Sequence, residues 1–158
     1  MTDLHRAYLS LGSNIEAEKN LPQAVQLLRE VGQVVSVSRV WESESIGFDG
    51  PNFLNGCVLF LTPLQPIELK EKIIRPIEAK LGRIRGTEKN APRTIDIDIE
   101  MYAEQPLNTE FWDYPFVAIP LAELIPDFQH PLRRENLSYV AAQLRSQVWI
   151  IPRVDVQL

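Results

Sequence analysis

Apolar positions along the chain recur with two distinct periods, and the switches between them outline an alternation of strands and helices. In AYLSLGSN, residues 7–14, Tyr8 points to one side of an extended chain and Leu9 and Leu11 fall on opposite parity from Ser10, before a Gly-Ser-Asn turn. This predicts a first strand. A single glycine makes that turn a weak candidate for a phosphate loop, so a plain turn is the better reading. Asn20 is expected to cap a helix in which Leu21, Ala24, Val25 and Leu28 recur at helical spacing until Gly32 stops it. VVSVSRVW, residues 34–41, and FLNGCVLFLT, residues 53–62, read as two further strands. ESESIGFDGPN between them is rich in turn formers and suits an exposed loop able to close over a ligand.

A second helix begins near Pro66, with Leu69, Ile73, Ile77 and Leu81 at four-residue intervals and Gly82 at its end. Pro76 should kink it. A strand over residues 95–102 follows, then a short turn at Leu121 to Ile125, a helix near Leu137 to Arg145, and a final strand-like VWIIPRV. Strand, helix, strand, strand, helix, strand is the split βαβ pattern of a ferredoxin-like α+β sandwich. It predicts an antiparallel sheet with helices covering one face, leaving the other face and its loops for a ligand.

The 158 residues fit a single domain, 1–158, large enough to bury a core without disulfides or structural metals. Hydrophobic residues make up 45% and charged residues 23%, a soluble composition, and no apolar run reaches membrane-spanning length. The expectation is a cytoplasmic protein with no membrane association. A lone Cys57 cannot form an intrachain disulfide, and a net charge of −5 argues against a broad nucleic-acid surface. No nucleic-acid partner is expected.

Candidate chemistry concentrates in APRTIDIDIE, residues 91–100. Side chains on a strand alternate, so Ile95, Ile97 and Ile99 share one face while Asp96, Asp98 and Glu100 share the other. Carboxylates at that spacing repel one another unless a cation joins them. The loop RIRGTEKNAPR, residues 83–93, delivers Arg83, Arg85, Lys89 and Arg93 directly to those acids. Two carboxylates on a strand suit Mg²⁺, which uses one or two of them together with substrate phosphates. Arginines alongside can clamp the same phosphates. Glu100, roughly 6.5 Å beyond Asp98 along the strand, should miss the metal and face the rim.

GRIRGTEKNAPRTIDIDI, with LSLGSN, GPNFLN and FVAIPLAEL in the same order, resembles the signature of the 6-hydroxymethyl-7,8-dihydropterin pyrophosphokinase family. The resemblance implies transfer of pyrophosphate from ATP to a hydroxymethyl-dihydropterin in folate biosynthesis, giving AMP. It implies that Asp96 and Asp98 hold two Mg²⁺ ions, that Arg83 and Arg93 stabilise the moving group, and that Glu78, Arg85, Lys89, Arg93 and Ile99 lie at the nucleotide. For the pterin it implies Gly12, the segment Ser43, Glu44, Ser45 and Ile46, Asn55 for hydrogen bonding, and Phe53 and Phe116 as an aromatic sandwich. Its partners would be small molecules alone, and the chain a monomer. Two departures stand out: no His occurs between Glu100 and Gln129, and Tyr114 stands where the family carries an arginine. A binding homologue with weakened turnover, a pyrophosphokinase for a different pterin, and an RNA-binding domain of the same fold are the rival readings.

Overall fold

The computed structural model describes residues 3–45, 50–83 and 93–158. Their strands form one antiparallel sheet in the order β6-β5-β1-β4-β3-β7, with β2 also pairing β4. The central strands are β1 (His5–Ser13) and β4 (Phe53–Thr62), flanked by β5 (Asp96–Tyr102) and by β2 (Gln33–Val37) and β3 (Trp41–Ser43). β6 (Gln105–Pro106) and β7 (Ile150–Pro152) are the short edges. The order β5-β1-β4-β2 is the one expected of a split βαβ sandwich.

Residues 34–41 do not form one strand. Ser38 interrupts them: its hydroxyl accepts from the Cys57 amide at 2.8 Å and donates to the Arg39 carbonyl at 2.7 Å. This local bonding replaces ladder bonds, so β2 and β3 lie end to end along β4.

Helices cover both faces of the sheet, not one. The first layer is α1 (Ala17–Val31) together with α2 (Pro66–Leu69) and α3 (Arg75–Lys80), packed on Ala7, Leu9, Leu11, Leu54, Val58 and Phe60. The second is α4 (Pro115–Leu124) and α5 (Leu137–Arg145), packed on Tyr8, Trp41, Cys57 and Leu59. The expected turn at Leu121 to Ile125 is in fact the end of α4. That helix is apolar on nearly every side, with Val117, Ala118, Ile119 and Leu121 all buried, so it lacks the periodic polar face by which a surface helix is read. Trp41 anchors it from below, its indole donating to Glu123 at 2.6 Å.

Two further details differ from the sequence pattern. α1 starts before Asn20: its N-cap is Glu16, with φ of 44°, and the buried Asn20 side chain donates back to the Ile15 carbonyl at 2.6 Å. The second helix is continuous through a π turn at Lys70–Ile74 that joins α2 to α3. In a regular helix the Pro76 ring would strike the carbonyl four residues back. The wider turn adds one residue, which rotates Ile74 rather than Ile73 into the core alongside Ile77.

Candidate active site

Where α4 stops short of the strand ends, the second face of the sheet opens onto a row of polar residues. The ladder sets Gly12 opposite both Asn55 on β4 and Asp96 on β5, and Trp41 on β3 opposite Asn55. One step away Ser43 faces Phe53, and Ser10 faces Asp98. Side chains on β1 and β4 that point this way therefore lie beside the acids of β5.

Asn55 is only 7% exposed. Its Oδ1 accepts from the Ser43 hydroxyl at 3.4 Å, and its amide nitrogen lies across Gly12 so closely that a Cβ there would stand 2.6 Å from it. Glycine at position 12 thus leaves room for the amide where it lies, and a Cβ would push it aside. Phe53 is half-buried at the start of β4. Phe116, in the first turn of α4, stacks on Tyr114 with ring centroids 5.4 Å apart. Glu44 is exposed, and Ser45 Oγ donates to the Gly50 carbonyl at 3.3 Å. Ile46, Arg85 and Lys89 lie outside the described residues.

Both arginines reach the acids. Arg83 donates through Nη1 to Asp96 Oδ1, to Glu78 Oε2 at 2.8 Å and to the Ile95 carbonyl at 3.3 Å. Arg93 donates to Asp96 Oδ2 at 2.9 Å. Asp96 is thereby clasped on both oxygens. Glu78, buried on α3, also accepts from the Ile97 amide at 3.0 Å, which fixes it beneath β5. Burial raises its carboxyl despite these bonds. Ile99 is half-buried and paired with Leu9, its side chain against the first helical layer.

The Asp98 carboxyl, exposed on this face, has no hydrogen-bond partner among the described residues. The residue keeps contact with solvent, yet partial loss of water around its carboxyl, and then the charges of Asp96 and Glu78, raise it to about 6. A divalent cation fits this donor set, because hard oxygens whose mutual repulsion raises their affinity for protons equally favour a metal. Among the described residues no three His, Cys, Asp or Glu side chains converge into a complete cage. Mg²⁺ needs no such cage, since it completes its shell with water and phosphate.

Glu100 does not face the rim. The register slips between Tyr8 and Leu9, so that β5 carries an extra residue at Glu100 between Ile99 and Met101. This bulge turns the carboxyl inward, where it is 2% exposed and accepts from Ser10 Oγ at 2.7 Å. Its second oxygen is buried without a hydrogen-bond partner. Burial, reinforced by the charge of Asp98, raises it to about 7 against the Ser10 bond and the pull of the nearby Asn108 side chain. Ser10 carried no sequence signal as a site residue; only the register reveals it.

The model of the 7,8-dihydro-6-hydroxymethylpterin-pyrophosphokinase (HPPK) family matches residues 8–126, a span that includes every residue of this cleft described so far. The chain belongs to that family. It is 38% identical over 155 residues to the 2-amino-4-hydroxy-6-hydroxymethyldihydropteridine pyrophosphokinase of Bacillus subtilis, covering 90% of this chain and 89% of the relative. The enzyme of the same name from a Synechocystis strain is 34% identical over 157 residues, with 92% and 80% covered. A folic acid synthesis protein of Schizosaccharomyces pombe is 35% identical, but the chain spans only 21% of its length. Among solved structures, wild-type HPPK-DHPS of Plasmodium falciparum superposes with a TM-score of 0.73 over 92% of this chain. At 13% identity, and with the chain spanning 42% of that structure's length, this likeness bears on the fold alone. The HPPK fold here is the α+β, ferredoxin-like sheet described above.

Proposed function

We propose that this protein transfers pyrophosphate from ATP to the hydroxymethyl group of 6-hydroxymethyl-7,8-dihydropterin, giving the pterin diphosphate and AMP, a step of folate biosynthesis. The observation that carries the reading is the row Asp98–Asp96–Gly12–Asn55 on one sheet face with Arg83 and Arg93 clasping its acidic end. In this reading the pterin lies between Phe53 and Phe116 with its ring donors and acceptors against Asn55, and its hydroxyl directed to Asp98. The hydroxyl oxygen bonds to the β-phosphorus, the bond from that phosphorus to the α,β-bridging oxygen breaks, AMP leaves with the electron pair, and the hydroxyl proton is released.

Asp96 and Asp98 would hold Mg²⁺, taken here as two ions, which supplies charge neutralisation for the phosphates. Arg83 and Arg93 offer guanidinium donors to oxygens on which charge spreads during transfer. Glu78 holds Arg83 in place from below. Residues 1–158 are taken to act as one pyrophosphokinase-like domain, as a monomer in the cytoplasm with small-molecule partners alone. Among the described residues no helix is long and apolar enough to cross a membrane.

Incubation with ATP, Mg²⁺ and the dihydropterin, with separation of adenine nucleotides, tests the reading. AMP formed in step with the pterin diphosphate is expected. ADP as the product, or no pterin-dependent AMP, would refute it.

A further inference from the structure

Gly12 and Ser13, expected to open a turn, instead complete β1, and the asparagine that follows them is among the most enclosed polar groups of the described residues. Asn14 is 3% exposed. Its amide N–H donates to the Arg93 carbonyl at 3.1 Å, and its Oδ1 accepts from the Arg93 N–H at 2.7 Å. These paired bonds extend the attachment of β1 to β5 past the Gly12–Asp96 pair and fix the backbone of Arg93. The other end of the same carboxamide, Nδ2, donates to the Pro51 carbonyl at 3.4 Å. Pro51 lies two residues before Phe53, and the intervening Asn52 is itself tied to Glu42 at 2.8 Å.

One side chain therefore holds the end of the arginine loop through its oxygen and the start of the pterin-facing strand through its nitrogen. Only a carboxamide of this length does both. An aspartate can accept from Arg93 but cannot donate to Pro51, and an alanine can do neither. We infer that Asn14 is a positioning residue that sets Arg93, and with it the phosphate side of the site, at a fixed distance from Phe53 and Asn55 on the pterin side. This rests on the function proposed above for which ligand lies on each side; the bridge itself does not depend on it.

The test uses the full chain and two variants that cut the bridge at different points. Asn14→Asp keeps the Arg93 bond and loses the Pro51 bond, so the KM for the dihydropterin should rise at least 5-fold with the KM for ATP within 2-fold. Asn14→Ala loses both, so both KM values should rise and kcat should fall at least 10-fold. Amide hydrogen exchange at Arg93, read by NMR without ligands, should stay slow in Asn14→Asp and speed up at least 10-fold in Asn14→Ala. Equal changes in the two KM values for folded Asn14→Asp, or an Arg93 amide that stays protected in Asn14→Ala, would overturn the inference. Should Asn14→Ala not fold, the Asn14→Asp split alone decides. A wild-type chain that turns over neither substrate would remove the proposed function and leave the exchange result to decide the bridge.

Discussion

Glu100 is the residue whose environment contradicts its chemistry most plainly. In the unfolded chain it titrates near 4.5, while in the folded chain burial raises it to about 7. Between those values the folded state keeps a proton that the unfolded state gives up, so the metal-free protein should lose stability as pH rises from about 4.5 through 7. The loss should approach about 3 kcal/mol. Glu100→Gln should remove Glu100's share of this dependence, leaving that of Asp98 and Glu78, and be the more stable protein at pH 8, as urea midpoints at pH 5 and pH 8 will show. A variant that keeps the wild-type slope would place the proton elsewhere. Gly12 supports a second expectation. In Gly12→Ala the Asn55 amide must swing away from a Cβ at 2.6 Å, which a side-chain terminus can do without unfolding the sheet. Misdirecting that amide should cost about 1 to 3 kcal/mol of pterin binding, measured as a higher KM for pterin with that for ATP unchanged. The acids, arginines and Asn55 could be read from the sequence because polar residues within apolar runs are conspicuous. The bond between Ser10 and Glu100, and the buried position of Glu100, could not, since they follow from a one-residue slip between two strands that no local pattern records.

At the scale of elements, the strands and α1 followed directly from periodicity, while α4 did not. A helix buried between the sheet and α5 needs no polar stripe, so PFVAIPLAEL carries the signal of neither an amphipathic helix nor an alternating strand. Its role is large nonetheless. Its first turn carries Phe116, the residue the proposed function sets against the pterin, and it rests on Leu121, which is fully buried. Leu121→Ala should therefore cost about 2 to 5 kcal/mol, read from urea unfolding at pH 7. The 3-10 segment Thr109–Asp113 that precedes α4 is similarly rooted, with Phe111 and Trp112 buried and Asn108 accepting from the Glu110 amide at 3.1 Å. The segment that the resemblance leads one to expect without the family's His and Arg thus has its own anchors in the core. The π turn before Pro76 makes a related point: proline announces a disturbance, but whether the helix bends or widens depends on what its neighbours can bury.

For the whole molecule, closure depends on the chain's last residues. Val156 is buried in the first helical layer, and Leu158 packs so close to Gly56 that a Cβ there would stand 2.7 Å from its side chain. Arg153 ties this tail to Glu42 at 2.8 Å and to Asp155 at 2.9 Å, and its amide donates to the Val40 carbonyl at 2.8 Å. Removing Val156 to Leu158 should cost about 2 to 4 kcal/mol by loss of apolar burial. A thermal melt that is unchanged would mean the tail is merely laid on the surface. None of this was visible as sequence pattern, because VDVQL is too short to show a period and its partner Gly56 lies about a hundred residues away.

The extra residue in β5 also decides where this strand tolerates being shortened. Upstream of it Ile97 and Ile99 turn toward the first layer, and downstream Tyr102 does so while Met101 enters the second. Excision of Glu100 alone would join the two halves in phase, with every remaining side chain on its present face and the ladder to β1 unbroken. Excision of Ile97 would instead carry Asp96 inward and drive the acids out of line. A single-codon deletion scan through residues 96–102 should therefore return soluble, folded protein at Glu100 and insoluble protein at Ile97.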